Sequence, residues 1–187
     1  MRVIIGISGA SGAIYGVRLL ELLSEQADVE THLVISRSAR LTIPHETGRS
    51  LSAVKKLATV THKDSDLAAT ISSGSFKTDA MVVAPCSMKT LSGIVHSYAE
   101  NLLQRAADVM LKEQRKLILV PRESPLHSGH CKLLYEASCL GAIIAPPMPA
   151  FYNQPQTIDD IVNHSVGRIF DLLGLDSGIV KRWQGIS

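Results

Sequence analysis

Five short apolar runs, at residues 3–7, 32–35, 81–84, 117–120 and 142–145, set the limits on what this chain can fold into. Most are continuous rather than alternating, as strands buried on both faces require. Between them lie longer segments with helical spacing. Ile14, Val17, Leu20 and Leu23 share one helix face, and Leu102, Leu103, Ala106, Val109 and Met110 share another. Residues 126–140 and 158–173 are two further candidates. Repeated strand–helix alternation predicts an α/β fold with a mostly parallel sheet covered by helices on both faces.

Helix punctuation agrees. Gly141 follows the helix ending near Leu140, and Thr157 precedes a first turn carrying Asp159 and Asp160. The span 44–75 is the least regular, with a helix over 51–58 and a short edge strand at 59–61 as its candidate elements. Prolines at 146, 147 and 149 demand irregular backbone there. No internal repeat or low-complexity linker interrupts the 187 residues, so one domain spanning 1–187 is expected.

A hydrophobic fraction of 45% against 19% charged residues supports a packed core and argues against disorder. The net charge of +2 is spread in mixed signs with no basic stripe, which argues against nucleic-acid binding. Cys86, Cys131 and Cys139 are odd in number and form no C-x-x-C, so neither a disulfide framework nor a structural zinc site is expected. No apolar run approaches the ~20 residues of a membrane helix, and the first is too short for a secretion signal. A soluble protein of the cytoplasm follows as the expectation.

In parallel sheets ligands bind outside the carboxyl ends of the strands, and each run here ends in something chemically specific. The first ends in Ser8-Gly9-Ala10-Ser11-Gly12. Small residues there let backbone approach a ligand, and the helix that follows offers free N–H groups to a phosphate. Tight strand–helix packing is the plainer reading. The spacing is G-x-x-G-x-x-G, which is neither the dinucleotide pattern nor a P-loop. The second run ends in Ser36-Arg37 where an NAD site would carry an acid. Arg37 leaves NADP open, and a mononucleotide such as FMN fits better. Ser87 and Thr90 flank another helix start and suit both capping and binding.

Cations form a second set. Arg105 and Lys112 lie seven apart and share a face if 102–113 is one helix; Lys112 alone is more simply solvent-facing. Arg122 and Glu123 follow a buried run, and Arg168 lies in the last long helix after Tyr152. Converging on one rim, these would hold a second phosphate. Glu46 reads either as a helix-start or surface acid or as a general acid/base. His45 and His130 read as surface or packing residues without metal-ligand spacing, and Cys86 as a small packing residue.

Taken in order, Gly9-Ala10-Ser11-Gly12 with Tyr15-Gly16, Pro85-Cys86-Ser87-Met88-Lys89-Thr90, Arg105-Ala106-Ala107-Asp108-Val109, Leu111-Lys112-Glu113, Pro121-Arg122-Glu123 and Phe151-Tyr152-Asn153-Gln154-Pro155 resemble the UbiX-type flavin prenyltransferases. The likeness runs from Val3 to about Trp183. The 71–76 stretch and the Lys181-Arg182-Trp183 ending are most similar to members that accompany hydroxyarylic or phenolic acid decarboxylases. The resemblance implies a flavodoxin-like domain that binds FMN in a homo-oligomer, commonly a dodecamer. It also implies transfer of a dimethylallyl group from its monophosphate to N5 and C6 of reduced FMN, the product serving a UbiD-type decarboxylase.

By the same resemblance, Gly9, Ala10, Ser11, Ser36, Ser87, Met88, Lys89, Thr90 and Arg122 would hold the FMN. Tyr152 and Arg168 would bind dimethylallyl phosphate, with Arg105, Lys112 and Arg122 adding positive charge. Glu123 would be the acid near the leaving phosphate, and Ser11 with Glu46 would relay a proton; no metal is implied. One departure stands out: 128–134 lacks the Glu-Asn pair usual at that helix start. Two other readings remain open: a flavin-dependent cysteine decarboxylase of the same fold, which His45 keeps in play, and a non-catalytic flavin-binding subunit of a decarboxylase.

Overall fold

Each continuous apolar run becomes a strand with helices on both sides. The structure, a computed structural model, describes residues 1–180 together with Arg182, Trp183 and Gly185; Lys181 of the C-terminal motif lies outside the described residues. Strands β1 (Arg2–Ile7), β2 (Glu30–Ile35), β3 (Val60–Lys63), β4 (Ala80–Cys86), β5 (Lys116–Pro121) and β6 (Ile143–Ile144) form one sheet. Its order is β3-β2-β1-β4-β5-β6, and every neighbouring pair is parallel.

The helices are α1 (Ala13–Ser24), α2 (Ala39–Thr47), α3 (Leu51–Lys55), α4 (Met88–Val95), α5 (Leu102–Lys112), α6 (Ser128–Cys139) and α7 (Ile158–Leu173). Residues of β4 show why its run is continuous. Val82 and Ala84 pack into one core with Val17 and Leu20 of α1 and Val166 of α7. Met81, Val83 and Cys86 pack into the opposite core with Leu91 of α4 and Leu103 of α5. With all strands parallel, their carboxyl ends share one rim. The chain leaves β1 toward β2 and β3, then returns to β4 on the other side, so a topological switch point lies between β1 and β4.

Several boundaries differ from the sequence reading. The edge strand is real but covers Val60–Lys63, half exposed as an edge should be. β6 is only two residues long. A helix spans Ala39–Thr47 despite Pro44, where the sequence suggests none. Only one ladder bond is lost to proline in so short a helix, and Gly48, at φ 66°, closes its end by donating its N–H to the Pro44 carbonyl. α6 begins at Ser128 rather than 126, and Ala137 is its one fully buried side chain. In the atypical 128–134 segment, Leu133 and Leu134 pack against the core, while Ser128, Cys131 and Lys132 are exposed. Thr157 caps α7 as expected: its hydroxyl accepts from Asp160 N at 3.1 Å, and the Asp160 carboxylate accepts from Thr157 N at 2.9 Å. Among the described residues no helix is long and apolar enough to cross a membrane.

Candidate functional site

The small residues after β1 answer to packing first. A Cβ on Gly9 would lie 2.3 Å from the Ser38 Cβ, and one on Gly16 would lie 2.2 Å from the Ala84 carbonyl oxygen. Gly12 has φ 98°, which favours glycine. The buried Ser8 hydroxyl donates to the Pro85 carbonyl at 2.8 Å and accepts from Ser87 N at 2.7 Å, locking the first loop to the loop after β4.

The open N-terminus expected on α1 is not open. Glu46, in the last turn of α2, accepts the N–H groups of Gly12 at 2.8 Å and Ala13 at 2.9 Å. Partial burial pushes its carboxyl upward. The two N–H groups, the Ser11 side chain and the charge of Arg122 outweigh that and hold it below the usual carboxylate range. The phosphate expected on the first turn is thus replaced by the protein's own anion, and a second anion on the same donors would be repelled.

Two further helix starts lie one loop away. A cleft of about 620 Å³ opens where β1, β2 and β4 end, and Gly9, Ser36, Ser87, Lys89 and Thr90 line it. Two helices start there. Ser36 Oγ accepts from Ala39 N at 3.2 Å in α2, and Ser87 Oγ accepts from Thr90 N at 3.2 Å in α4. The dipole ends of both helices, the hydroxyls and the cations Arg37, Arg40 and Lys89 suit a phosphorylated, hydroxyl-bearing tail. Lys89 is paired with Glu100 at 3.1 Å. Ala10, Ser11 and Met88 sit on the same loops. Arg40, Asp64 and Gln104 also line the cleft, and the sequence reading singled out none of them. A cleft of equal volume lies at the amino ends of the strands; its cations Arg2 and Lys77 sit among Asp28, Glu30 and Asp79, and no helix starts among its lining residues.

The second set lies toward β5 and β6. Arg122 N donates to the Cys86 carbonyl at 3.2 Å, which joins the β5 loop to the β4 loop. Glu123 is exposed and accepts from Ser124 N at 2.9 Å. The Tyr152 hydroxyl lies 2.8 Å from His164 Nε2, and its ring meets those of His164 and Trp183 edge-on. Arg168 is one helical turn beyond His164, so α7 sets both on one face. Both line a small cleft against Pro146 and Met148. Arg168 pairs with Asp171, whose carboxyl is held low chiefly by Arg182.

Arg105 and Lys112 line none of these clefts. Arg105 donates to the Ser72 carbonyl at 3.2 Å and pairs with Asp108 at 2.6 Å. Lys112 pairs with Glu113 against Gly74. Gln104, near the start of α5, lines the main cleft, and Lys112 lies eight residues further, ~12 Å along the axis. His45 is exposed beside Glu46, and it is Glu46 that engages the first loop. His130 stacks on His127 with ring centres 3.7 Å apart. Cys86 is fully buried, and burial pushes its thiol up to about 12, which matches a packing role. No group of three or more metal-binding side chains occurs among the described residues.

Comparison with known proteins adds three findings. Residues 1–170 match the Flavoprotein family. The chain is 58% identical over 186 residues to the flavin prenyltransferase UbiX of Escherichia coli K12, covering 98% of each. Two solved structures superpose closely. A dodecameric FMN-dependent UbiX-like decarboxylase from Escherichia coli O157:H7 has a TM-score of 0.98 at 55% identity, covering 99% of this chain and all of that one. AnUbiX (PadA1), in complex with FMN and dimethylallyl pyrophosphate, has a TM-score of 0.97 at 46% identity, covering all of this chain and 98% of that one.

Proposed function

The chain belongs to the UbiX-type flavin prenyltransferases of the Flavoprotein family, and from that membership we propose that it joins a dimethylallyl group to reduced FMN at N5 and C6. The observation that carries this reading is two groups of cations on one rim. The group at the starts of α2 and α4 lies at the ends of β2, β1 and β4, and the Arg122, Tyr152 and Arg168 set lies toward β5 and β6. From β2 to β5 is three strand spacings, ~14 Å, room for a flavin between its own phosphate and that of the allyl donor.

In this reading Gly9, Ala10, Ser36, Ser87, Met88, Lys89 and Thr90 hold the FMN tail, and Arg122 faces the ring end. Reduced FMN, when bound, supplies the electron-rich nitrogen and carbon that accept the allyl group. Tyr152 and Arg168 grip dimethylallyl monophosphate, and the guanidinium stabilises the charge that grows on the departing phosphate. Glu123 protonates that phosphate. Glu46, held as a carboxylate, receives a proton through Ser11 as the ring closes. Arg105 and Lys112, remote from the cleft of their own chain, reach the site of a neighbouring copy in a dodecamer like that of the O157:H7 relative. The product goes to a UbiD-type decarboxylase. The test is turnover: purified protein, reduced FMN and dimethylallyl monophosphate yield a flavin heavier by one dimethylallyl unit. FMN that binds and is recovered unmodified contradicts the reading.

A further inference from the structure

Asp64 follows the last residue of β3 and lines the main cleft with Ser36, Ser87 and Thr90. It is 8% exposed, yet its Oδ1 has no hydrogen-bond partner among the described residues. A buried carboxylate oxygen without a partner is costly, so the group is placed for a ligand or for a proton. Its backbone is fixed, because the Asp64 carbonyl accepts from Leu102 N at 2.8 Å at the start of α5.

The charges around it are mixed. Arg37 and Arg40 come from the start of α2, Lys89 from α4, and Glu100 from the segment before α5; Lys89 and Glu100 neutralise each other. Burial pushes the Asp64 carboxyl upward. The N–H groups of Leu103 and Arg37 and the charge of Arg40 pull the other way, Glu100 adds to the push, and the net direction is up. A carboxylate beside a phosphate dianion would repel it, whereas a protonated carboxyl donates a hydrogen bond to it.

Resting on the flavin reading above, we propose that the Asp64 carboxyl is protonated when FMN is bound and donates a hydrogen bond to the flavin phosphate. Binding then takes up one proton that the free site, above its titration range, lacks. Asp64 thereby makes the cleft select a phosphorylated flavin in a pH-dependent way.

The test is FMN and riboflavin titration of the flavin-stripped full chain from pH 7 to 9, followed by flavin fluorescence. The free phosphate, with a second pKa of about 6, is dianionic throughout this range. The wild-type chain is expected to lose FMN affinity by up to about tenfold per pH unit. Asp64→Asn and Asp64→Ala are expected to change by less than about threefold across the range and to bind FMN more tightly than wild type at pH 9. Riboflavin affinity is expected to stay level in all three proteins. Variants that keep the wild-type slope overturn the proposal. So does an equal loss of riboflavin binding in the variants, which would make Asp64 an acceptor for a flavin hydroxyl. A wild-type chain that binds no FMN at any pH overturns the flavin reading itself, an outcome distinct from a slope that survives substitution.

Discussion

Glu46 Oε2 lies 2.8 Å from the Gly12 N–H, so the last turn of α2 closes the first turn of α1. The contact fixes the first loop between two helices and leaves the starts of α2 and α4 as the seat proposed for the flavin phosphate. It also keeps Glu46 ionised at neutral pH, ready to accept a proton rather than to give one.

Glu46→Gln is therefore expected to retain FMN, because the proposed phosphate seat is elsewhere, and to slow formation of the mature adduct at least tenfold in single turnover. Unchanged single-turnover kinetics would remove Glu46 from the chemistry.

The same contact predicts a pH dependence of stability. The Glu46 carboxyl is depressed in the folded chain, so its stabilising effect is present above the ordinary glutamate range and lost as pH falls through the folded value. Because the side chain is exposed to solvent, the effect is modest, about 0.5–1 kcal/mol. Denaturant midpoints of wild type and Glu46→Gln should differ at pH 7 and converge as the pH falls through the folded Glu46 value. A gap that widens on acidification would contradict the assignment.

Gly9→Ala puts a methyl group 2.3 Å from the Ser38 Cβ. The first loop and the start of α2 must separate, at a cost of about 1–3 kcal/mol, and FMN affinity should fall by more than tenfold. Equilibrium unfolding and flavin titration of the same variant check both parts.

Arg168→Ala is expected to raise the KM for dimethylallyl phosphate by ten- to a hundredfold while FMN affinity changes by less than threefold. Arg168 sits on α7 with His164, away from the starts of α2 and α4. Equal loss of both would point to a folding defect instead.

What was legible in the sequence was whatever depends on local pattern. The continuous run of β4 announced burial on both faces, and Thr157 with Asp160 announced the start of α7. Two roles needed the third dimension. Glu46 caps a helix 34 residues upstream, a contact no local pattern encodes, and Pro44 hid the helix that carries it. Asp64 follows a four-residue edge strand with weak patterning, and its burial comes from α5 and the start of α2 packing over it. The first loop offers two readings in sequence, ligand approach and tight packing, and Gly9 shows both features: it lines the main cleft and it lies against Ser38 with no room for a Cβ.

A crystal structure of the chain with FMN bound tests the site assignment most directly. The account predicts phosphorus between the starts of α2 and α4, within hydrogen-bonding reach of Ser36, Ser87 and Thr90, with Glu46 still on Gly12 and Ala13. A phosphate seated on the Gly12 and Ala13 N–H groups, with Glu46 displaced, would contradict it.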